Sequence, residues 1–273
     1  MRVYISADIE GVAGIASPDE ANPEHRDVRF FQDQMTREVK AACEGAMAAG
    51  AQDILVKDAH WTGRNIDPRA LPECARMLRG WTGHPFSMMA ELDKSHDAAV
   101  FIGYHDRANS AGNPLAHTMS GRMVQEIRVN DVPVAEFHLN TYTATMLGVP
   151  VALLSGDEDL CRDVKAYNEA IVTVPTFKGV GTGVISLHPD VVIRQIRDGV
   201  AEALRRDLRD LKKMLRPLPP AFKIEIDYKF PRDAYGRSFY PGATLVGDYT
   251  VRYEAQDWFD ILRMMHFCIK VYS

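Results

Sequence analysis

Three apolar runs constrain this chain more than any other feature: Val3-Tyr4-Ile5-Ser6-Ala7, Ile54-Leu55-Val56 and Val100-Phe101-Ile102-Gly103-Tyr104. Runs without polar alternation read as strands buried on both faces, which belong in a parallel sheet covered by helices on either side. Each run is followed closely by groups that bind metals: Asp8-Ile9-Glu10 after the first, Asp58-Ala59-His60 after the second, His105 after the third. In extended chain, residues i and i+2 point the same way, so Asp8 and Glu10 are presented together. The carboxyl ends of parallel strands form the crevice of an open sheet, so groups spread over about a hundred positions can meet there.

The pattern between the runs supports that fold. Phe30 to Ala49 carries apolar residues at helical spacing and stops at Gly50. A strand at 53–57, a short helix near 71–79 and a strand at 98–104 complete a β-α-β-α-β series. Glu126 to Val129 and Val132 to Phe137 read as two strands joined at an Asn130-Asp131 turn. A helix at Thr141 to Leu147, a strand at Val151 to Leu154, a helix at Asp159 to Tyr167 and a strand at Ile171 to Val174 follow. The expected fold is α/β, a Rossmann-like three-layer lobe over residues 1–175 with a parallel sheet, and then a smaller α+β domain over 176–273.

That second part is expected to contain a long charged helix around Pro189 to Leu215, the Pro217-Leu218-Pro219-Pro220 break, strands at Phe222 to Tyr228 and Leu245 to Tyr253, and a closing helix from Trp258 to Val271. Met264, Met265 and Phe267 are assigned to its core. Gly179 to Gly183 has three glycines in five residues but lacks the Lys-Ser/Thr ending of a phosphate-binding loop, so a flexible loop at a substrate entrance is expected.

Composition narrows the function classes. With 32 basic and 37 acidic side chains the formal charge is −5, and no long block of like charge stands out, which argues against nucleic acid and anionic membranes as partners. No apolar run approaches the roughly 20 residues of a spanning helix. The chain opens on a strand without the pattern of a secretory leader, and a cytoplasmic location is the expectation. Cys43, Cys74, Cys161 and Cys268 are widely spaced with no C-x-x-C pair, as buried reduced thiols would be.

Carboxylate oxygen with imidazole nitrogen suits zinc, and also manganese, iron or cobalt, while the absence of thiolate partners argues against a structural zinc site. Several carboxylates buried together without a cation would be driven to take up protons. Asp8, Glu10 and one further glutamate would contribute −3; two divalent ions and a hydroxide would bring the sum to zero. On the strand reading, Glu136 and His138 face the same way and rank equally as that further ligand.

In order along the chain, Asp8-Ile9-Glu10-Gly11, Asp58-Ala59-His60, Gly103-Tyr104-His105, Leu115-Ala116-His117 and Val134-Ala135-Glu136 resemble the D-aminopeptidases of the DppA type, the M55 family of zinc peptidases. The motifs cover residues 1 to about 140; no sharp motif marks the last hundred. The resemblance implies that Asp8, Glu10, His60, His105 and Glu136 bind two zinc ions with Asp8 shared, that His117 is the catalytic histidine, and that subunits form a ring-shaped homodecamer around a channel. It places the glutamate at 136 and leaves His138 to packing. The implied activity is removal of amino-terminal D-residues, D-Ala above all, from short peptides, with a metal-bridged water as nucleophile.

Around this set, Asp58 is expected to orient a ligand imidazole, and Asp106 stands where the family has a small residue and would add negative charge near the metals. Asn140 is expected at a helix start. His25, His84, His96, His188 and His266 have no comparable context and are read as structural or exposed. The rival readings are another dinuclear amidohydrolase or esterase, against which stands the lack of a Lys/Arg cluster for phosphate, and a non-catalytic peptide-binding ring.

Overall fold

A computed structural model describes residues 1–269. The chain begins with β1 (Arg2–Ala7), a one-turn α1 (Pro18–Ala21) and the long α2 (Val28–Ala48). β2 (Asp53–Asp58), β3 (Ala75–Leu78) and β4 (Ala98–Tyr104) follow, then a hairpin of β5 (Val124–Val129) and β6 (Val132–Pro133). Next come α3 (Glu136–Met146), β7 (Val151–Gly156), α4 (Glu158–Tyr167), β8 (Val172–Pro175) and a second hairpin, β9 (Phe177–Val180) with β10 (Gly183–Ser186). α5 (Pro189–Leu204), α6 (Leu208–Lys213), β11 (Phe222–Tyr228), α7 (Pro231–Arg237), β12 (Thr244–Leu245), β13 (Thr250–Ala255) and α8 (Trp258–Cys268) complete the described chain.

The apolar runs pair as a parallel six-stranded sheet in the order β3-β2-β1-β4-β7-β8. Alternation along β1 divides its side chains between two cores. Val3, Ile5 and Ala7 face α2 and α5, packing with Met35, Val39, Ile196 and Val200; Tyr4 faces the other side, in the core shared by Phe101, Phe137, Leu160 and Val164. Each such aliphatic side chain stabilises the fold by about 1.5–3 kcal/mol relative to its exposed state. This is the expected three-layer α/β architecture. The strand order turns back between β1 and β4, so the crevice at their carboxyl ends is the topological switch point of the sheet.

A second, antiparallel sheet runs β12-β13-β11-β5-β6, and α8 packs on it through Trp258, Ile261 and Met265 against Ile224, Ile226 and Val251. The chain crosses residue 175 in both directions: β5 and β6, before it, belong to this second sheet, while α5, after it, covers the first. Trp258 Nε1 also donates to Thr143 Oγ1 of α3 at 3.0 Å, tying the layers together.

Several elements differ from expectation. Residues 71–79 contain a strand, not a helix: Ala75–Leu78 pairs with Ile54–Lys57, and edge pairing outweighs the local helical spacing. The strand expected to reach Phe137 stops at Pro133, because the chain turns into α3 at Glu136; there His138 Nδ1 accepts the Ala135 N–H at 3.1 Å. The charged helix expected over 189–215 is two helices, with His188 accepting the Asp190 N–H at the first start and Asp207 capping the second. The expected strand at Leu245 to Tyr253 is interrupted between β12 and β13. Gly179 to Gly183 lies in the β9–β10 hairpin, where Gly179 packs against the backbone of Gly112 and Asn113. Met264 and Met265 are buried, but Phe267 is exposed. The expected continuation of the last helix to Val271 falls outside the described residues.

Candidate metal centre

Asp8 lies one residue beyond β1, where its N–H donates to Ile102 O of β4 at 2.8 Å, and Gly11 N donates to Gly103 O at 2.8 Å. This close crossing requires glycine on both sides. Gly103 has φ +69°, and a β-carbon on it would lie 2.3 Å from Asp8 O; one on Gly11 would lie 1.8 Å from Tyr104 O. The segment bearing Asp8 and Glu10 is thereby laid across the end of β4, which delivers His105.

The two oxygens of Asp8 serve different neighbours. Oδ1 is 3.2 Å from His60 Nδ1, and Oδ2 is 3.7 Å from His105 Nε2. On one side, Glu10 Oε2 comes within 3.0 Å of His60 Nδ1; on the other, Glu136 Oε2 is 3.7 Å from His105 Nε2, and Glu136 Oε1 is 3.8 Å from His117 Nε2. The ligand atoms of Asp8, Glu10 and His60 lie within 4.8 Å of one another, as do those of His105, His117 and Glu136. All six residues identified in the sequence therefore meet in one place.

Each imidazole commits one nitrogen to a backbone carbonyl. His60 Nε2 donates to Ala21 O at 2.7 Å, His105 Nδ1 to Asp106 O at 2.9 Å and His117 Nδ1 to Leu115 O at 3.0 Å. A carbonyl only accepts, so one proton sits on that nitrogen and the opposite nitrogen is the one that would present its lone pair to a cation; in the bare site that nitrogen faces the carboxylates instead. Lone pairs facing carboxylate oxygens do not bond to one another; a cation between them is what satisfies both. Glu10 Oε2 and His105 Nε2, both buried, have no hydrogen-bond partner, as atoms reserved for a metal would be. The donor set of carboxylates and imidazoles, free of thiolates, fits divalent metal ions of the zinc type.

The electrostatics of the bare side chains show the same conflict. Burial and the adjacent Glu10 push the Asp8 carboxyl well above the usual range. Burial works against charge on His60, but Glu10 and Asp8 outweigh it and hold the imidazole well above its ordinary value; burial and then Glu136 act likewise on His105, which rises to about 9. His117 goes the other way, lowered by burial and by His105, whose ring stacks on it at 4.3 Å. His117 is also the most open member, its side chain 22% exposed against 1–8% for the others.

The neighbours assigned from sequence fall into place differently. Asp58 does not touch an imidazole. It accepts the N–H groups of Asn65 and Ile66 at 2.6 and 2.9 Å, while Asn65 Nδ2 reaches His60 O at 2.8 Å, so Asp58 shapes the loop that carries His60. The Asp106 carboxylate turns away, accepting from Ser110 Oγ at 2.6 Å and its neighbour Arg107 N at 2.7 Å, and its own N–H donates to Asp157 at 2.7 Å. Asn140 sits inside α3, not at its start, and donates to Tyr104 Oη at 2.9 Å. His138 packs edge-on to Tyr167, and burial lowers it to about 4. Cys43, Cys161 and Cys268 are buried and Cys74 half-buried; burial pushes the Cys43 thiol to about 12 and the Cys268 thiol to about 11.

A cavity of about 980 Å³ opens over this centre. Its walls include Trp61, Trp81, Met88, Leu115 and Met119, with Arg64, Arg122 and Lys229 among them. Sequence reading missed these cations because they come from three separate segments; the aromatic Trp61, directly after His60, was the available signal. Below Trp81 the buried Lys57 ammonium, lowered to about 8 by burial, lies 4.0 Å from the ring centre and donates to Gly80 O at 2.9 Å and to Asp58 O. Trp81 Nε1 in turn donates to Trp61 O at 2.7 Å, so the loops after β2 and β3 form one wall.

The profile of the Peptidase_M55 family, described as D-aminopeptidase, matches residues 1–267. The chain is 27% identical over 271 residues to a D-aminopeptidase of Bacillus subtilis (strain 168), an alignment covering 97% of this chain and 95% of that protein. It is also similar to the solved structure of the Zn-dependent D-aminopeptidase DppA from Bacillus subtilis, described as a self-compartmentalizing protease. The TM-score is 0.90 at 26% identity, covering 99% of this chain and 97% of that one.

Proposed function

The chain belongs to the M55 peptidase family, and from that premise we propose that it removes amino-terminal D-residues of the D-Ala type from short peptides at a dinuclear zinc centre held by Asp8, Glu10, His60, His105 and Glu136. The observation that carries this reading is Asp8, whose two oxygens face two separate ligand groups. Zinc bound there would supply Lewis acidity and bring a bound water towards neutrality as a nucleophile.

The chain's own groups do the rest. Asp8 and Glu136 hold the two halves in register; Met119 N–H donates to Glu136 Oε1 at 2.6 Å and fixes that carboxylate. His117 is the catalytic histidine. Its Nδ1 is committed to Leu115 O, so Nε2 is the atom that takes a proton and returns it to the leaving amine. Walls of the half-buried Trp81 and the buried Met88 and Leu115 shield the scissile bond from water. A free substrate amine is drawn to the carboxylate floor, which restricts cleavage to the first peptide bond.

The zinc dependence and the self-compartmentalizing assembly named for the Bacillus subtilis structure support a zinc-loaded homo-oligomer here, read as the decameric ring. Exposed Phe230, Tyr235, Phe239 and Phe267, carried by α7, α8 and their flanks, offer apolar surface for contacts between copies.

The test is release of p-nitroaniline from D-Ala and L-Ala p-nitroanilides by zinc-loaded protein, beside a chelator-treated sample. Metal-dependent cleavage of the D form alone supports the reading; cleavage that survives chelation defeats it. His117→Ala separates two roles for that residue: lost turnover with full zinc makes it the proton-transfer group, whereas lost zinc makes it a further ligand beside Asp8, His105 and Glu136.

A further inference from the structure

The charged residues lining the cavity are sorted by sign. Its acidic members are Asp8, Glu10 and Glu136, all at the metal centre; Arg64, Arg122 and Lys229 line other parts of the wall. Two of these cations belong to or reach the turn that packs on His117. Gly121 packs on that histidine, where an added β-carbon would lie 3.5 Å from His117 Cβ, and Arg122 is the next residue. Lys229 reaches the same turn from the second sheet: its Nζ donates to Gly121 O, and its N–H donates to Met123 O at 2.9 Å. A register shift between Asp227 and Tyr228 in the β11–β5 pairing brings Lys229 to this point, as bulges near active sites commonly re-aim the side chain beyond them. Arg122 is not engaged by any acidic side chain among the described residues.

An acidic floor with cations beyond the reacting histidine is complementary to a zwitterion. We propose that Arg122 and Lys229 bind the free carboxylate of the substrate, so that the preferred substrate is a very short peptide with both termini free. The proposal rests on the aminopeptidase reading and adds what that reading lacks, a determinant of substrate length. With the amine held at the metal centre, each extra residue carries the carboxylate about 3.5 Å farther along, and beyond a certain length it leaves the two cations. A guanidinium and an ammonium facing a carboxylate in a partly enclosed cavity make charge-assisted hydrogen bonds. Loss of one such bond should cost roughly tenfold to a hundredfold in affinity.

The experiment compares D-Ala-D-Ala with its carboxamide, using zinc-loaded protein and the variants Arg122→Met, Lys229→Met, Lys229→Arg and Arg64→Met. Wild-type protein should prefer the free acid, and Arg122→Met should lower that acid-over-amide ratio in kcat/KM at least tenfold, through KM more than kcat. Lys229→Met should act in the same sense. Lys229→Arg, which keeps both the charge and a donor for Gly121 O, should restore much of the preference, whereas a purely structural effect on the turn would make Lys229→Met lower cleavage of acid and amide alike. Binding of D-Ala-D-Ala to chelator-treated protein, followed by calorimetry, should weaken in parallel without any turnover. Equal rates on acid and amide for wild-type protein would overturn the anchor while leaving the peptidase reading intact, as would a preference lost only in Arg64→Met. Cleavage of p-nitrophenyl phosphate that depends on Arg122 and Lys229 would reassign the pair to phosphate. Cleavage of neither peptide form by wild-type protein would bring down the peptidase reading and the anchor together.

Discussion

His60 Nε2 lies 2.7 Å from the carbonyl oxygen of Ala21, the last residue of α1, and this contact turns the other ring nitrogen towards Asp8 and Glu10. The one-turn α1 is held by its start: Ser17 caps it, and Glu20 Oε2 accepts the N–H groups of Ala16 and Ser17 at 2.7 and 3.0 Å. Glu20→Ala leaves every ligand in place but loosens the carbonyl that orients one of them. Outer partners of this kind typically change metal affinity tenfold or more. Zinc affinity of Glu20→Ala, measured by competition with a chelating dye, should fall by about tenfold; an unchanged value would mean that α1 does not orient His60.

The crossing of the segment after β1 over the end of β4 depends on Gly103. With φ +69° and Asp8 O only 2.3 Å from a notional β-carbon, Gly103→Ala must displace Asp8 or distort β4. The conformational penalty alone is about 1–2 kcal/mol. The variant should unfold at lower urea and bind fewer than the wild-type number of zinc ions, read by elemental analysis after gel filtration. Full zinc content with only a small stability loss would show that the crossing can relax without moving Asp8.

Chelation should destabilise the wild-type protein, since a ligand present at a hundred times its dissociation constant contributes about 2.7 kcal/mol. For a chain of this size that corresponds to a fall of roughly 5–10 °C in Tm. Asp8→Asn separates metal binding from charge repulsion. The wild-type chelator shift should disappear in it, and the metal-free variant should melt at or above metal-free wild type, because it no longer carries there a carboxyl whose ionisation burial and Glu10 oppose. A chelator shift retained in Asp8→Asn would mean that Asp8 is not shared between ligand groups.

What could be read from sequence followed the range of the forces involved. The strands of the parallel sheet were legible because burial on both faces forces unbroken apolar runs such as Val100 to Ile102. The cluster of candidate ligands was legible because switch-point chemistry sits at strand ends, so Asp8, Glu10, His60 and His105 were marked by position. Glu136 was reached by resemblance; the strand reading around it was wrong, since Glu136 opens α3 and a helix, unlike a strand, sends His138 to a different side. The strand at 75–78 was illegible because its partner, β2, lies twenty residues earlier and only pairing reveals it. Arg122 and Lys229 were illegible for the same reason, being joined by contacts between segments more than a hundred residues apart.

Glu38 is buried in α2 beneath the segment that carries Asp8 and Glu10. Its Oε1 accepts Ala13 N–H at 2.9 Å and Gln34 Nε2 at 2.8 Å, while Oε2 has no partner. Burial raises this carboxyl from 4.5 to about 7, more than the two hydrogen bonds lower it. The folded state therefore holds a proton that the unfolded chain has released between those values. Stability from Glu38 is fully present below pH 4.5 and is lost as pH rises through about 7, by up to roughly 3 kcal/mol at 1.36 kcal/mol per unit. Glu38→Gln keeps an oxygen for Ala13 and Gln34 but has no proton to lose. In urea titrations with chelator present, the stability of the variant relative to wild type should rise between pH 5 and about 7.5 and then level off. A flat difference across that range would show that Glu38 is ionised in the folded protein throughout, and that Oε2 has a partner after all.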